Sequence, residues 1–152
     1  MAIRESEMAR LIPELAEKLV GRPLSQVWQP SRQEVLLGFT SGDILLLVPR
    51  GPDARLHTVA RRPKNPKRPF SFQGACRAHL QGPLTRIEKH PDDRVVDLWF
   101  GPRRLHLRLT GNIGGLWLLE GDRVIAAYDG PAPDALPELE PGGARDQPER
   151  VE

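Results

Sequence analysis

The sequence contains few of the residues that several protein classes require. Cys76 is the single cysteine in 152 residues, so the chain has no intramolecular disulfide and no multi-cysteine metal site. The longest apolar run, residues 44–48, is far too short to cross a bilayer. The first residues carry charges of both signs and lack the apolar segment of an export signal. We therefore expect a soluble, cytoplasmic protein without a membrane partner.

Proline and glycine, by contrast, are abundant. The 16 prolines and 14 glycines disfavour a helical bundle and favour strands joined by turns. The length suits one domain with a single core. Charge is unevenly distributed: residues 1–128 hold 20 Lys and Arg against 13 Asp and Glu, whereas residues 129–152 hold 2 against 7. A basic body is typical of a surface that meets phosphates.

Periodicity predicts two helices and eight strands. Apolar residues recur at helical spacing over residues 6–20, with Ser6 as the expected N-cap and Gly21 just past the end. A shorter helix is predicted over residues 73–80. Strand-like runs lie at residues 24–29, 34–39, 43–48, 84–89, 94–100, 105–109, 116–120 and 124–127. The run at 43–48 is almost wholly apolar and should be a central strand, whereas 105–109 alternates and should have one wet face.

Two segments lack any apolar periodicity. Residues 61–69 carry five positive charges and three prolines, which predicts an extended, solvated loop. Residues 129–152 are rich in proline, glycine and acidic residues, and we expect them to form a disordered tail or linker. The predicted division is therefore a domain over residues 1–128 followed by that tail.

Several short motifs occur in an order known from one protein family. They are Glu14-Leu15, GRPL at 21–24, VWQP at 27–30, ARLHT at 54–58, the proline-rich 63–70, CRAHLQG at 76–82, DRVV at 93–96, LWLL at 116–119 and Val124-Ile125. Over residues 8–127 this series resembles the N-terminal domain of the NFACT proteins. Three features depart from the family pattern. The family's Phe-Asp-Gly near the N-terminus is absent, since residues 3–6 read Ile-Arg-Glu-Ser; Arg108 stands where an acid is usual, and Gly115 replaces a common asparagine.

The resemblance implies both a fold and a function. The implied fold is α+β, with two mainly antiparallel sheets packed as a sandwich, an N-terminal helix and a second short helix, similar to the N-terminal domain of formamidopyrimidine-DNA glycosylases. NFACT proteins handle tRNA on obstructed large ribosomal subunits, where they recruit alanyl-tRNA and support C-terminal alanine tailing. The resemblance thus implies tRNA and the large ribosomal subunit as partners. It implies no catalysis, no cofactor and no small-molecule substrate.

The candidate nucleic-acid-binding residues fall into two groups. The Asp93-Arg94 pair comes first, because the family pair is tied to tRNA engagement and an arginine fork suits phosphates and base edges. The second group combines basic residues of the loop with two arginines inside matched motifs, since Lys and Arg neutralise phosphates without reading sequence. These additional candidates are Arg55, Arg77, Arg61, Arg62, Lys64, Lys67 and Arg68.

Other functions remain open at this stage. Some relatives are named fibronectin-binding proteins, which makes a protein-binding module one alternative. A degenerate glycosylase-like nucleic-acid-binding domain is another, although the N-terminal proline nucleophile of those enzymes is absent. His79 follows Cys76 by three residues, but two ligands do not make a metal site, so we expect none. We expect Cys76 itself to be a small buried apolar residue and not a nucleophile.

Overall fold

The computed structural model describes residues 3–64, 70–91, 93–109 and 114–137. Within these ranges the chain forms two helices and nine strands. The helices are α1 (Glu5–Leu19) and α2 (Ser71–His79); the strands are β1 (Leu24–Ser31), β2 (Glu34–Phe39), β3 (Ile44–Val48), β4 (Arg55–Val59), β5 (Arg86–Lys89), β6 (Val95–Phe100), β7 (Arg103–Arg108), β8 (Gly115–Glu120) and β9 (Arg123–Ala127).

Helix α1 starts earlier than its sequence predicted. The N-cap position is held by Arg4 rather than Ser6, so the predicted cap is wrong. The backbone N–H of Arg4 donates to the Glu7 carboxylate at 2.9 Å, and a negative side chain in the first turn suits the positive end of the helix dipole. At the other end Gly21 has a φ of +91°, which confirms it as the left-handed residue that ends the helix.

The strands form two antiparallel sheets. The first sheet has the order β1-β2-β3-β4 and the second has the order β5-β6-β7-β8-β9. The prediction missed β4, because this edge strand buries only Leu56 fully and therefore lacks a clear alternation of apolar residues. Strand β3 is buried along its whole length between two neighbours, as its apolar run predicted.

The two sheets pack on one shared core, which confirms the predicted α+β sandwich. Alternate side chains of each sheet point inward, and the buried faces of both helices complete the core. Core members include Met8, Ile12, Leu15, Leu19, Val35, Leu37, Phe39, Phe72, Cys76, Val96, Leu98 and Phe100. Each fully buried apolar side chain of this size stabilises the fold by about 1.5–3 kcal/mol. Burial also raises the pKa of the Cys76 thiol, as befits a core residue.

The outward face of the second sheet is more buried than the sequence predicted. Strand β7 was predicted to have one wet face, yet His106 and Arg108 are 3% and 6% exposed, so that prediction is wrong. Neighbouring strands supply the cover: Asp97 lies beside His106, and the guanidinium of Arg108 lies 5.1 Å from the Trp117 ring centroid. Alternation along one strand does not reveal what the adjacent strands place beside it.

Two tryptophan rings lie close to glycines on these outward faces. A Cβ added at Gly38 would approach the Trp28 ring to 2.7 Å, and one at Gly115 would approach the Trp117 ring to 2.5 Å. Carbon atoms do not pack this closely, so a side chain at either position would have to displace a ring. The expected asparagine is therefore replaced by Gly115 where Trp117 needs the space.

Parts of the predicted loop and tail lie outside the described residues. In the basic loop, residues 61–64 form neither helix nor strand, and residues 65–69 are not described. In the tail, residues 129–137 contain no helix or strand, although Leu136 packs against the buried Trp117. Neither α1 nor α2 has the length and apolar character needed to cross a membrane.

Candidate nucleic-acid interface

The Asp93-Arg94 pair lies immediately before strand β6, at the end of the second sheet. The Asp93 carboxylate accepts the backbone N–H of Arg94 at 2.9 Å, which fixes the turn. The Arg94 carbonyl accepts the N–H of Leu109 at 2.8 Å, so the pair is tied to the neighbouring strand as well. Both side chains are half-buried. An arginine held at a defined backbone position keeps its fork in a restricted range of orientations.

Residue Ile3 connects this pair to the first sheet. A guanidinium nitrogen of Arg94, Nη1, donates to the Ile3 carbonyl at 3.3 Å, while the Ile3 N–H donates to the carbonyl of Ala54 at 2.8 Å. Arg55, which follows Ala54 in the sequence, begins β4. Ile3 is therefore a strap: it links the side chain of Arg94 to the backbone of Ala54, the residue that precedes the second candidate, Arg55.

A groove opens beside the Ile3 strap. Its volume is about 340 Å³, and its walls include Arg4 and Glu7 of the α1 start together with Arg55 and His57 of β4. The Arg55 guanidinium is oriented by two bonds, from Nε to His57 Nε2 at 3.0 Å and from Nη1 to the Asp53 carbonyl at 2.9 Å. The groove therefore presents an oriented arginine and a second one, Arg4, next to the Asp93-Arg94 pair.

The remaining candidates lie elsewhere. Arg77 on α2 donates through Nε to the carbonyl of Val27 at 3.0 Å, on the exposed edge of β1. In the basic loop, Arg61, Arg62 and Lys64 are exposed, and the Arg62 guanidinium lies 6.0 Å from the Trp28 ring centroid. Lys67 and Arg68 lie outside the described residues. The structure thus links Arg94 through Ile3 to Ala54, next to Arg55, and places Arg77 and the loop residue Arg62 against β1 instead.

A buried hydrogen-bonded network, which the sequence did not predict, lies next to the Asp93-Arg94 pair. The Asp97 carboxylate bonds to His106 Nδ1 at 2.7 Å and to His90 Nε2 at 2.8 Å. Arg108 donates from Nε to His106 Nε2 at 2.9 Å. Asp93 and Asp97 both act electrostatically on Arg108 and oppose the lowering of its pKa by burial. The strand register pairs Arg108 with Val95, so this end of the network lies next to the Asp93-Arg94 turn.

Protonation states in this network follow from its geometry. Burial lowers the pKa of His106 despite the nearby carboxylate. Burial alone would raise the pKa of Asp97, but hydrogen bonds with His106 and His90 outweigh it and hold that pKa below its usual range. His106 is therefore neutral, with its proton on Nδ1 directed at Asp97 and its Nε2 lone pair accepting from Arg108.

The same tautomer bears on metal binding. His90, Asp97 and His106 place three ligand-capable atoms within 4.8 Å of one another. A ligating nitrogen needs a free lone pair, yet His106 Nδ1 carries a proton and its Nε2 accepts from Arg108. Arg104 also lies near the carboxylate, with its Nε 3.9 Å from Asp97, so the network holds the positive charges of both Arg104 and Arg108. The arrangement therefore favours a hydrogen-bonded network over a metal centre.

A sequence signal for this network existed. Asp97 is a lone acid in the otherwise apolar run of β6, and the turn at Gly101-Pro102 places it opposite His106 in the hairpin register. A buried acid opposite a histidine predicts a bonded pair. The position of His90, by contrast, depends on the turn between β5 and β6, and the sequence pattern does not define the conformation of that turn.

Comparison with known proteins identifies the fold and the family. A profile of the NFACT N-terminal and middle domains matches residues 6–127. The N-terminal domain of fibronectin-binding protein PavA from Streptococcus pneumoniae superposes with a TM-score of 0.77 at 21% identity, over 88% of this chain and 62% of that one. The N-terminal part of the fibronectin/fibrinogen-binding protein from Streptococcus suis has a TM-score of 0.70 at 24% identity, over 77% and 49%.

A third solved structure, the fibrinogen-binding protein from Staphylococcus aureus, has a TM-score of 0.65 at 20% identity, over 80% of this chain and 48% of that one. The chain thus spans less than two thirds of the length of each of these three structures. Comparison with curated protein sequences returned no match. Because the profile covers most of the sequence and the fold agrees, residues 6–127 belong to the family described as NFACT N-terminal and middle domains.

Proposed function

We propose that this chain is a non-catalytic, cytoplasmic tRNA-binding domain that works on the large ribosomal subunit in ribosome quality control, in support of C-terminal alanine tailing. The observation that carries the proposal is that Arg94 bonds to Ile3, while Arg55 and Arg4 line the groove that Ile3 also borders. Oriented arginines around one groove suit a folded nucleic-acid backbone, because planar guanidinium groups bind phosphate oxygens bidentately.

The basic loop adds a contact of a different kind. Arg61, Arg62 and Lys64 are exposed on a segment without helix or strand, so they can adapt to the path of a backbone. Such contacts position an RNA without reading its bases. In this arrangement the Asp93-Arg94 end supplies an oriented contact and the loop supplies affinity that depends strongly on salt.

The proposal is tested by tRNA binding to the purified chain. Fluorescence anisotropy with labelled tRNA at low salt should detect binding, and Arg94→Ala should weaken it about tenfold, within the range expected for one oriented arginine contact. Arg94→Lys keeps the charge but loses the planar fork, so it should recover only part of the affinity. The control Arg32→Ala removes an exposed arginine from the β1–β2 turn and should bind as the wild type does.

Thermal unfolding of each variant separates binding effects from folding effects. Failure of the wild-type chain to bind tRNA at low salt would overturn the proposal. Equal affinities of Arg94→Ala and Arg32→Ala would remove the Asp93-Arg94 pair from it and leave only the basic loop. Co-sedimentation with isolated large ribosomal subunits, with and without tRNA, tests the ribosomal part independently.

A second candidate function is binding of fibronectin or fibrinogen. The three similar structures are those of proteins named for fibronectin or fibrinogen binding. Surface plasmon resonance with immobilised fibronectin and fibrinogen discriminates between the candidates. Tight binding to either protein, together with no binding to tRNA, would favour the second candidate.

A further inference from the structure

The outward face of the second sheet carries an unusual set of side chains. Inward-pointing residues such as Leu98 belong to the shared core, so their neighbours Asp97 and Trp99 point the other way. The strand register arranges the outward residues in cross-strand rows. One row runs Arg86, Trp99, Arg104 and Leu119; the next runs Glu88, Asp97, His106 and Trp117.

The first row contains an indole ring flanked by two guanidinium groups. The Arg86 guanidinium carbon lies 4.7 Å from the Trp99 ring centroid, and that of Arg104 lies 5.1 Å from it. Arg86 is 56% exposed and Trp99 is half-buried, so solvent reaches this row. The two guanidinium groups and the indole ring come from three adjacent strands. Cationic and π surfaces therefore alternate across the sheet, one per strand.

The second row fixes the first in place. The Arg104 guanidinium is drawn toward Asp97, which is itself held by His106 and His90. Beyond it, Arg108 lies over the Trp117 ring, which repeats the pairing of a guanidinium with an indole deeper in the sheet. The exposed row therefore rests on a buried hydrogen-bonded support, and its side chains are oriented before any ligand arrives.

The chemistry of this face determines its partner class. Three arginines, Arg86, Arg104 and Arg108, outnumber the two carboxylates of this face. Arg86 pairs with Glu88 at 3.7 Å, and Arg104 lies 3.9 Å from the buried Asp97. The exposed row lacks the contiguous aliphatic surface that a hydrophobic protein contact needs. Aromatic and guanidinium planes on the open face of a sheet are suited to stacking with unpaired nucleobases, while the arginine charges meet the phosphates.

We propose that the row Arg86–Trp99–Arg104, here called the stacking row, is a second RNA contact that binds unpaired nucleotides. The contact is distinct from the groove beside Ile3. The strand register places Arg108 opposite Val95, the residue after the Asp93-Arg94 pair. This inference rests on the proposed function in that one RNA would engage both surfaces. An unpaired loop would reach the stacking row while the folded body of the RNA occupies the Ile3 end.

The test uses a labelled single-stranded RNA of about ten nucleotides, which supplies unpaired bases without a folded body. The double variant Arg86→Gln and Arg104→Gln should weaken its binding about tenfold, the order expected for losing one stacked base. The double variant to lysine keeps both charges but loses both planes. It should bind more weakly than the wild type while keeping the wild-type salt dependence, which separates stacking from charge.

The matched control is Arg10→Gln with Arg32→Gln, which removes two exposed arginines from α1 and the β1–β2 turn. Binding of the stacking-row variant at the level of this control would overturn the inference. Trp28 lies beside the loop residue Arg62, so fluorescence is measured in a Trp28→Phe background. Quenching by the RNA should be retained in Trp28→Phe and lost when Trp99→Leu is added. Quenching that persists in the folded double variant contradicts the inference.

Failure of this inference is distinguishable from failure of the proposed function. Loss of tRNA binding in Arg94→Ala, with unchanged binding of single-stranded RNA in the stacking-row variant, overturns only the stacking row. Binding of single-stranded RNA that requires the stacking row, in a chain that does not bind tRNA, overturns only the proposed function.

Discussion

At the scale of single residues, His106 shows how burial decides protonation. Its ring is 3% exposed, donates to Asp97 and accepts from Arg108. A histidinium at this position would lose the bond from Arg108 and place two cations in contact. The neutral form is therefore built into the fold, and the stability of the fold should depend on pH.

The sign of this pH dependence follows from the lowered pKa values. Below the ordinary histidine pKa of 6.5, the unfolded chain takes up a proton that the folded His106 resists, so the free energy of unfolding falls as pH falls. Below 3.8 the unfolded chain also protonates Asp97, which the folded chain keeps ionised, so stability falls further. Urea unfolding between about pH 7.5 and pH 4.5 measures the first effect.

His106→Gln provides the comparison. Loss of the buried bonds should lower the free energy of unfolding by about 1–3 kcal/mol near neutral pH. The same variant should flatten the decline between neutral and mildly acidic pH, because the titrating ring is gone. An equally steep decline in both proteins would show that His106 does not control it.

At the scale of elements, helix α2 closes the open edge of the first sheet. Strand β1 is an edge strand, and α2 covers its exposed backbone. The Gln29 N–H donates to the side-chain carbonyl of Gln73 at 2.7 Å, and Arg77 bonds to the carbonyl of Val27. Edge strands left open invite pairing with other chains, so these two side chains protect the sheet.

Arg77 can therefore be assigned by measuring stability and binding on one variant. Arg77→Ala should lower the free energy of unfolding by about 1 kcal/mol, since a bond from a guanidinium to a backbone carbonyl is lost. If the edge contact is its main role, tRNA affinity should stay within about twofold of the wild type. A drop in affinity comparable to that of Arg94→Ala, at unchanged stability, would restore the sequence-based assignment of Arg77 to the RNA interface.

At the scale of the whole molecule, charge separates by region. The excess of basic residues lies in residues 1–128, and the acidic excess lies in residues 129–152. Long-range attraction of an RNA to the body should depend on ionic strength, since exposed charges are screened beyond about 10 Å at moderate salt. The number of phosphate contacts can be read from that dependence.

Neutralising Arg61, Arg62 and Lys64 with glutamine tests the contribution of the basic loop. A plot of the logarithm of the tRNA association constant against the logarithm of salt concentration should become less steep, with the slope reduced by about two to three. Each phosphate contact contributes about 0.7–0.9 to that slope. A slope equal to that of the wild type would remove the loop from the interface. The control neutralises three exposed basic residues on or just after α1: Arg10, Lys18 and Arg22.

The sequence by itself determined most of the fold, because the fold follows from local patterns. Helical spacing, Gly21 and the apolar runs predicted both helices and eight of the nine strands. The edge strand β4 escaped, since a half-exposed strand needs only one or two apolar residues. The motif series also identified the family. These features are set by the chain's neighbouring residues, whose periodicities and turns act over a few positions.

Tertiary structure alone decided how the candidate site is assembled. Only packing could link Arg94 through Ile3 to Ala54, next to Arg55, place Arg77 on a strand edge, or bury Arg108 against Trp117. Apart from the Asp97–His106 pair, which the β6–β7 hairpin register predicts, the buried network and the stacking row likewise depend on which strands are neighbours. Contacts between residues distant in sequence arise from the packing of whole elements, and no local pattern encodes which side chains will meet.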